Sequence, residues 1–125
     1  MSRVRQALDD LMFPGPKLSP SEVVQWRVML NHGKRGGYGG ILYVTTERLA
    51  FIPSRLSQLL LGRSWTRIRS EVQSVTAAPP DHSGPLQARV LEIESTLGGG
   101  ERFISSAAEE VAERLRKELN VPPRV

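Results

Sequence analysis

Apolar positions along the 125-residue chain recur with two different periods. Between residues 2 and 12, Val4, Leu8, Leu11 and Met12 fall at helical spacing behind Ser2 as N-cap, which predicts a short amphipathic helix ended by the breaker PGPKLSP. From Glu22 the period changes to two, with Val24, Trp26, Val28 and Leu30 on one face and Gln25, Arg27 and Asn31 on the other, the mark of a half-buried strand. The stretch GGYGGILYVTTERLAFIPSR, residues 36–55, predicts a hairpin with strands at 39–45 and 48–53 joined through Thr46-Glu47. Thr-Glu is not the Asn-Gly pair of a two-residue type I′ turn, so the turn type stays open. Leu42, Val44, Leu49 and Phe51 share its buried face, and Pro53, which cannot donate to a ladder, ends it.

SRLSQLLLGRS follows, too short for an independent helix, and is read as a long connection. RSWTRIR alternates again and EVQSVTAA continues the alternation until PPDHSGP interrupts it. LQARVLEIEST and GERFISS then form a second hairpin around LGGG, whose glycines supply the positive φ of a turn. The final element is a helix, with Ser106 and Glu109 as a capping box and a stripe of Ala108, Val111, Ala112, Leu115 and Leu119. Glu110–Arg114 and Glu113–Lys117 are its i,i+4 pairs, and Asn120 and Pro122 stop it. The sum is a mainly β (α+β) chain of about seven antiparallel strands closing around a core, with one end covered by the C-terminal helix.

Composition narrows the chemistry. A chain with no cysteine has no disulfide framework, thiolate metal site or cysteine nucleophile, and fits a reducing cytoplasm. The first residues, MSRVRQALDDLMF, match neither a secretory signal nor a membrane span. Seventeen Lys plus Arg against thirteen Asp plus Glu leave +4, an excess that favours polyanions or anionic lipid without requiring either. His32 and His82 are not at metal-ligand spacing, and the carboxylates of the last helix are taken by capping and ion pairs. No catalytic residue, metal or cofactor is therefore expected, and the chain is not read as an enzyme. GKRGGYGG lacks the order of a phosphate loop and runs into a strand, so it is no nucleotide site.

The segment GILYVTTERLAF resembles the hallmark of the GRAM domains of the pleckstrin-homology-like superfamily: glycine, any residue, leucine-tyrosine-hydrophobic-threonine, two residues, arginine-leucine, any residue, phenylalanine. Gly40, Leu42, Tyr43, Val44, Thr45, Arg48, Leu49 and Phe51 occupy its positions. The resemblance extends over residues 19–119, departs at the long RLSQLLLGRS connection, and leaves the N-terminal helix outside. It implies a split barrel capped by the C-terminal helix, in a superfamily that contacts phosphoinositides, other anionic lipids or protein partners. On this reading residues 1–18 are helix and linker, 19–121 the domain and 122–125 a tail. Thr45 and Arg48 flank the hairpin turn, where a hydroxyl can bond turn amides and a guanidinium can reach an acid.

The candidate binding surface lies in residues 55–69. An unbroken strand would put Arg63, Trp65, Arg67 and Arg69 on one face, arginine forks beside an indole, suited to phosphate head groups at a membrane. Leu59, Leu60 and Leu61 between Arg55 and Arg63 resemble a small apolar wedge with flanking charges. Two readings stay open: a basic membrane face, or Trp65 in the core with a shifted register and solvated arginines. The expected function is weak peripheral binding to anionic lipid at the inner face of the membrane, the alternative a protein-interaction or self-association module using the leucines and Trp65. Nucleic acid ranks below both, for want of any recognition motif.

Overall fold

The computed structural model describes residues 14–32, 38–60, 62–78, 89–96 and 99–123. The N-terminal helix expected over 2–12, the glycine segment 33–37, Leu61, the loop with His82 and part of the LGGG turn lie outside them. Among the described residues seven strands are present: β1 (Val24–His32), β2 (Tyr38–Thr45), β3 (Arg48–Pro53), β4 (Trp65–Ile68), β5 (Val72–Ala78), β6 (Arg89–Ser95) and β7 (Gly100–Ser105). Helix α1 (Arg55–Leu59) stands between β3 and β4, a 3-10 turn (Arg69–Glu71) between β4 and β5, and helix α2 (Ala108–Leu119) follows β7.

The strands form one antiparallel sheet in the order β4-β3-β2-β1-β7-β6-β5. It does not close into a barrel, because β4 and β5 are its two edges. The two halves meet where β1 pairs with β7 at Asn31–Ile104 and His32–Phe103. Leu30, Leu42, Val44, Leu49 and Phe51 from one half and Val72, Val75, Leu91, Ile93 and Phe103 from the other bury into a single core. Ala108, Val111, Ala112 and Leu115 of α2 complete it, so the apolar stripe of the last helix faces where its spacing placed it.

Both hairpins appear as expected, and each turn has a physical cause. The Thr45 hydroxyl accepts from the amides of Glu47 (3.1 Å) and Arg48 (3.0 Å), closing the turn by side-chain bonds without positive φ at Thr46 or Glu47. Gly99, at φ 80°, supplies the left-handed residue of the second turn. Gly40 answers a different need: a Cβ there would lie 2.4 Å from the Ile52 carbonyl oxygen and 2.8 Å from the Phe51 ring. Only glycine lets β3 approach β2 this closely.

Three expectations are corrected. SRLSQLLLGRS is not plain connection, since tertiary bonds hold its first half as the one-turn helix α1. RSWTRIR and EVQSVTAA are not one continuous strand: the 3-10 turn divides them and sends β4 and β5 to opposite edges. The capping box does not form, because α2 starts at Ala108 behind Ala107, which carries no side-chain cap. Ser105 holds the entry instead, its hydroxyl accepting from the Ala107 amide at 3.0 Å. Along α2, Glu113 pairs with Lys117 (3.4 Å), while Arg114 pairs with Glu118 (3.1 Å) and lies 4.9 Å over the ring of Trp26. Asn120, left-handed at φ 54°, ends the helix, and the Val75 amide then bonds to the Pro122 carbonyl.

Candidate functional site: an apolar tip on helix α1

Helix α1 is a single turn, which has no stability of its own in water, so its neighbours must hold it. Ser54 caps it, its hydroxyl accepting from the Ser57 amide at 3.1 Å. Its own amide bonds to the Gly39 carbonyl (2.9 Å), and the Ser57 hydroxyl donates to the same oxygen (2.8 Å). Gln58 donates from Nε2 to the Pro53 carbonyl at 3.0 Å. The polar side of the turn is thus fastened to the start of β2 and the end of β3. The pattern S-x-x-S at 54–57 is a capping spacing that reading the segment as leucine-rich overlooks.

The other side has nowhere to go but outward. Leu59 is 80% exposed, Leu60 59% and Leu56 58%. Arg55 is exposed at the start of the turn. The Gly62 amide returns to the Ser57 carbonyl at 2.7 Å, a contact a side chain at Gly62 would obstruct, and exposed Arg63 follows. Three leucines on a fastened support, with a cation before and after them, form the chain's most exposed apolar cluster among the described residues.

The remaining candidates do not join this tip. Trp65 and Arg67 share a face, as their parity requires, but that face turns inward: both are half-buried while Thr66 and Ile68 are exposed. Trp65 packs edge-on against Phe103, centroids 5.7 Å apart, and the Arg67 guanidinium lies 5.8 Å from the indole centroid. Trp65 therefore belongs with the core, as the second sequence reading had it, and the face of four aligned basic and aromatic residues does not exist. Arg69 sits beyond the strand in the 3-10 turn. Its Nη1 donates to Gln25 Oε1 (2.6 Å) and the Thr45 carbonyl (2.9 Å), and its Nη2 to the Glu118 carbonyl at the end of α2. It is a strut between sheet and helix, not a surface cation.

The hairpin motif is structural, and its acidic partner went unread in the sequence. Arg48 donates from Nε to Glu22 Oε2 at 2.8 Å and from Nη2 to the Lys17 carbonyl at 2.6 Å. The Thr45 hydroxyl donates to the same Glu22 oxygen at 2.5 Å. Hydrogen bonds from Arg48 and then Thr45 outweigh burial and hold the Glu22 carboxyl at about 2, against an ordinary 4.5. The signal was Ser19-x-x-Glu22: the Ser19 amide donates to Glu22 Oε1 at 3.1 Å, pinning the approach to β1.

His32 closes the seam between the half-sheets. Its ring lies 5.1 Å from Phe51 and 5.0 Å from Phe103, and its Nε2 is 2.6 Å from Glu101 Oε1. On the far surface Glu92, Glu94, Gly100 and Arg102 line an open hollow of about 310 Å³, in which Arg102 donates to Glu92 at 2.8 Å. Among the described residues no helix is long and apolar enough to cross a membrane. No group of three or more His, Asp or Glu among those residues could hold a metal ion.

No protein-family model matches the chain, and no curated protein matches it. A solved structure does: the crystal structure of the C-terminal domain of an unknown protein from Leishmania infantum superposes with a TM-score of 0.61 at 12% sequence identity, over 94% of each chain. At that identity the likeness is one of fold alone.

Proposed function

We propose that the protein is a non-catalytic binding module of the pleckstrin-homology-like kind that docks weakly and reversibly on anionic membrane surface through helix α1. The observation that carries this reading is the exposure of Leu56, Leu59 and Leu60 on a support fixed by four hydrogen bonds, between exposed Arg55 and Arg63. A protein that only needed a connection between β3 and β4 would not stabilise a turn that holds three leucines in water. Leucines entering the interface while arginines stay at head-group level is the division of labour of an interfacial anchor. Each cation contributes on the order of 1 kcal/mol at an anionic leaflet, and the three leucines, already partly covered, add a gross gain comparable to that of a single acyl chain, which gives reversible rather than permanent anchoring. Support for the pleckstrin-homology-like assignment is the GILYVTTERLAF motif together with seven antiparallel strands followed by a C-terminal helix. The inner face of the membrane is the location this reading assigns.

The docking residues are a part of those the sequence suggested: Arg55, Leu59, Leu60 and Arg63 stay, Leu56 joins them, and Leu61 lies outside the described residues. Arg67 and Arg69 are spent inside the fold, and Trp65 is spent with them, so both the lipid reading and its protein-interface rival now rest on α1.

The test is sedimentation with neutral and anionic vesicles at low and moderate salt, comparing the protein with Leu59→Asp/Leu60→Asp and Arg55→Ala/Arg63→Ala variants. Binding to anionic vesicles alone, weakened by salt and lost in both variants, is expected. Absence of binding to any vesicle removes the membrane reading and leaves the leucines as a protein interface.

A further inference from the structure

Strand β4 is one edge of the sheet and is hydrogen-bonded to β3 alone among the described residues. The ladder decides which of its backbone groups are open. The Arg69 amide bonds to the Glu47 carbonyl at 3.1 Å, in the register that sets Arg67 against Leu49 and Trp65 against Phe51. Backbone groups alternate in direction along an antiparallel strand, so residues 65 and 67 turn theirs to β3, and Thr66 turns its N–H and C=O to the free edge. The Ile68 amide points the same way, and both Thr66 and Ile68 are exposed. This is the row of groups to which a further strand can bond.

The side chains beside that edge have a matching need. Their place inside the fold takes Trp65 and Arg67 out of the α1 tip, but it leaves two of their donors without acceptors. Trp65 Nε1 and Arg67 Nε are shielded from solvent, and neither has a hydrogen-bond partner. No carboxylate stands within ion-pair distance of Arg67 among the described residues. Buried donors ordinarily find acceptors, and a buried charge a counter-charge. An inward charge that served only to keep strands off an edge would stay hydrated, which Arg67 Nε does not. No ion pair fixes the guanidinium, so it can turn toward the edge with the indole beside it, 5.8 Å from guanidinium to ring centroid. A strand added to β4 answers both needs. Its backbone meets Thr66 and Ile68, and its alternate side chains fall in the row of Trp65 and Arg67, about 5 Å away. A guanidinium and an indole N–H only donate, so the side chain required there is a carboxylate. A second copy of β4 would bring the same donors again and no acceptor.

We propose that the free edge of β4 binds an extended acidic peptide segment of a partner protein by antiparallel strand addition, with a carboxylate of that segment on Trp65 Nε1 and the Arg67 guanidinium. The proposal does not rest on the membrane reading, whose contacts are the leucines of α1.

The probe is a fluorescein-labelled heptapeptide of alternating valine and glutamate, titrated with the full chain and read by anisotropy in the absence of vesicles. Saturable binding is expected. Replacing the peptide glutamates with glutamine should weaken it roughly tenfold or more, and Arg67→Gln in the protein should do the same. N-methylation of the valine amides, which face β4 when the glutamates lie beside Arg67, should abolish binding, whereas N-methylation of the glutamate amides on the far edge should not. Thr66→Pro removes the outward amide without breaking a ladder bond and is expected to match the valine-methylated peptide. Absence of binding overturns the proposal. So does binding that survives N-methylation of the valine amides, since the contact is then one of charge without an added strand, and so does binding indifferent to the glutamine exchange. The peptide variants need no altered protein, so the result stands even where Arg67→Gln or Thr66→Pro fails to fold.

Discussion

Glu22 and Arg48, 26 positions apart in sequence, meet at 2.8 Å through a carboxylate that is 2% exposed and a guanidinium that is partly so. The pair ties the approach to β1 to the first residue of β3, and the Thr45 hydroxyl binds both the carboxylate and the turn between β2 and β3. Removing the charge while keeping the shape, as in Glu22→Gln, is expected to cost about 1–3 kcal/mol in urea denaturation at neutral pH.

The same carboxylate makes stability depend on acid. Its folded pKa of about 2 lies below its ordinary 4.5, so the folded state favours the ionised form. The contribution is complete above pH 4.5 and is lost as pH falls from there towards 2. Denaturation midpoints of wild type and Glu22→Gln should therefore converge across that window. A gap of constant size down to pH 2 would mean that another property of Glu22 supplies the stability.

Gly40→Ala places a methyl group 2.4 Å from the Ile52 carbonyl oxygen, where the obstacle is backbone. Overpacking of this kind is expected to cost about 1–3 kcal/mol. Gly100→Ala is the control, its Cβ meeting Glu94 Cγ at an ordinary 3.6 Å. Thermal unfolding of the two variants should separate them, with Gly100→Ala at or slightly above the wild-type midpoint.

Arg69→Ala removes donors to β1, to β2 and to the last turn of α2 together. A loss of about 1.5–3 kcal/mol is expected, against no more than about 0.5 kcal/mol for Arg63→Ala on the surface. In vesicle sedimentation the order should reverse: the Arg63 variant weakens binding, and the Arg69 variant, studied where it remains folded, does not.

Trp65→Phe keeps an aromatic edge against Phe103 and is expected to be mild, whereas Trp65→Ala opens space beside Phe103 and should cost about 2–4 kcal/mol. Circular dichroism melts of the two variants check this, and a neutral Trp65→Ala would place the indole outside the core.

What the sequence disclosed is what is local. The 38–53 hairpin and the stripe of α2 are legible because period two and period 3.6 are each completed within one element. The β4 segment shows the limit: parity correctly puts residues 65 and 67 on one side, but a four-residue strand carries no sign of which side faces the core. Arg69 was misplaced because a 3-10 turn looks, in sequence, like two more strand residues. Helix α1 was missed because its stability comes from the Gly39 and Pro53 carbonyls, which a local pattern cannot supply. Glu22 announced its turn through Ser19, but its partner lies across a hairpin, and no spacing rule connects them.

The seam at Asn31–Ile104 and His32–Phe103 also orders the folding of the chain. Strands β1 to β4 pair each with its successor, as do β5 to β7, so each half can assemble from contacts between sequence neighbours. The seam instead joins residues as distant as Asn31 and Ile104, with His32 and Glu101 69 positions apart beside them, and its entropy of closure must be met before the shared core rewards it. Joining the two meanders is therefore the step expected to set the refolding rate, and stopped-flow refolding is expected to be slowed by substitutions at His32 or Phe103, while those on the first hairpin's solvent face chiefly speed unfolding.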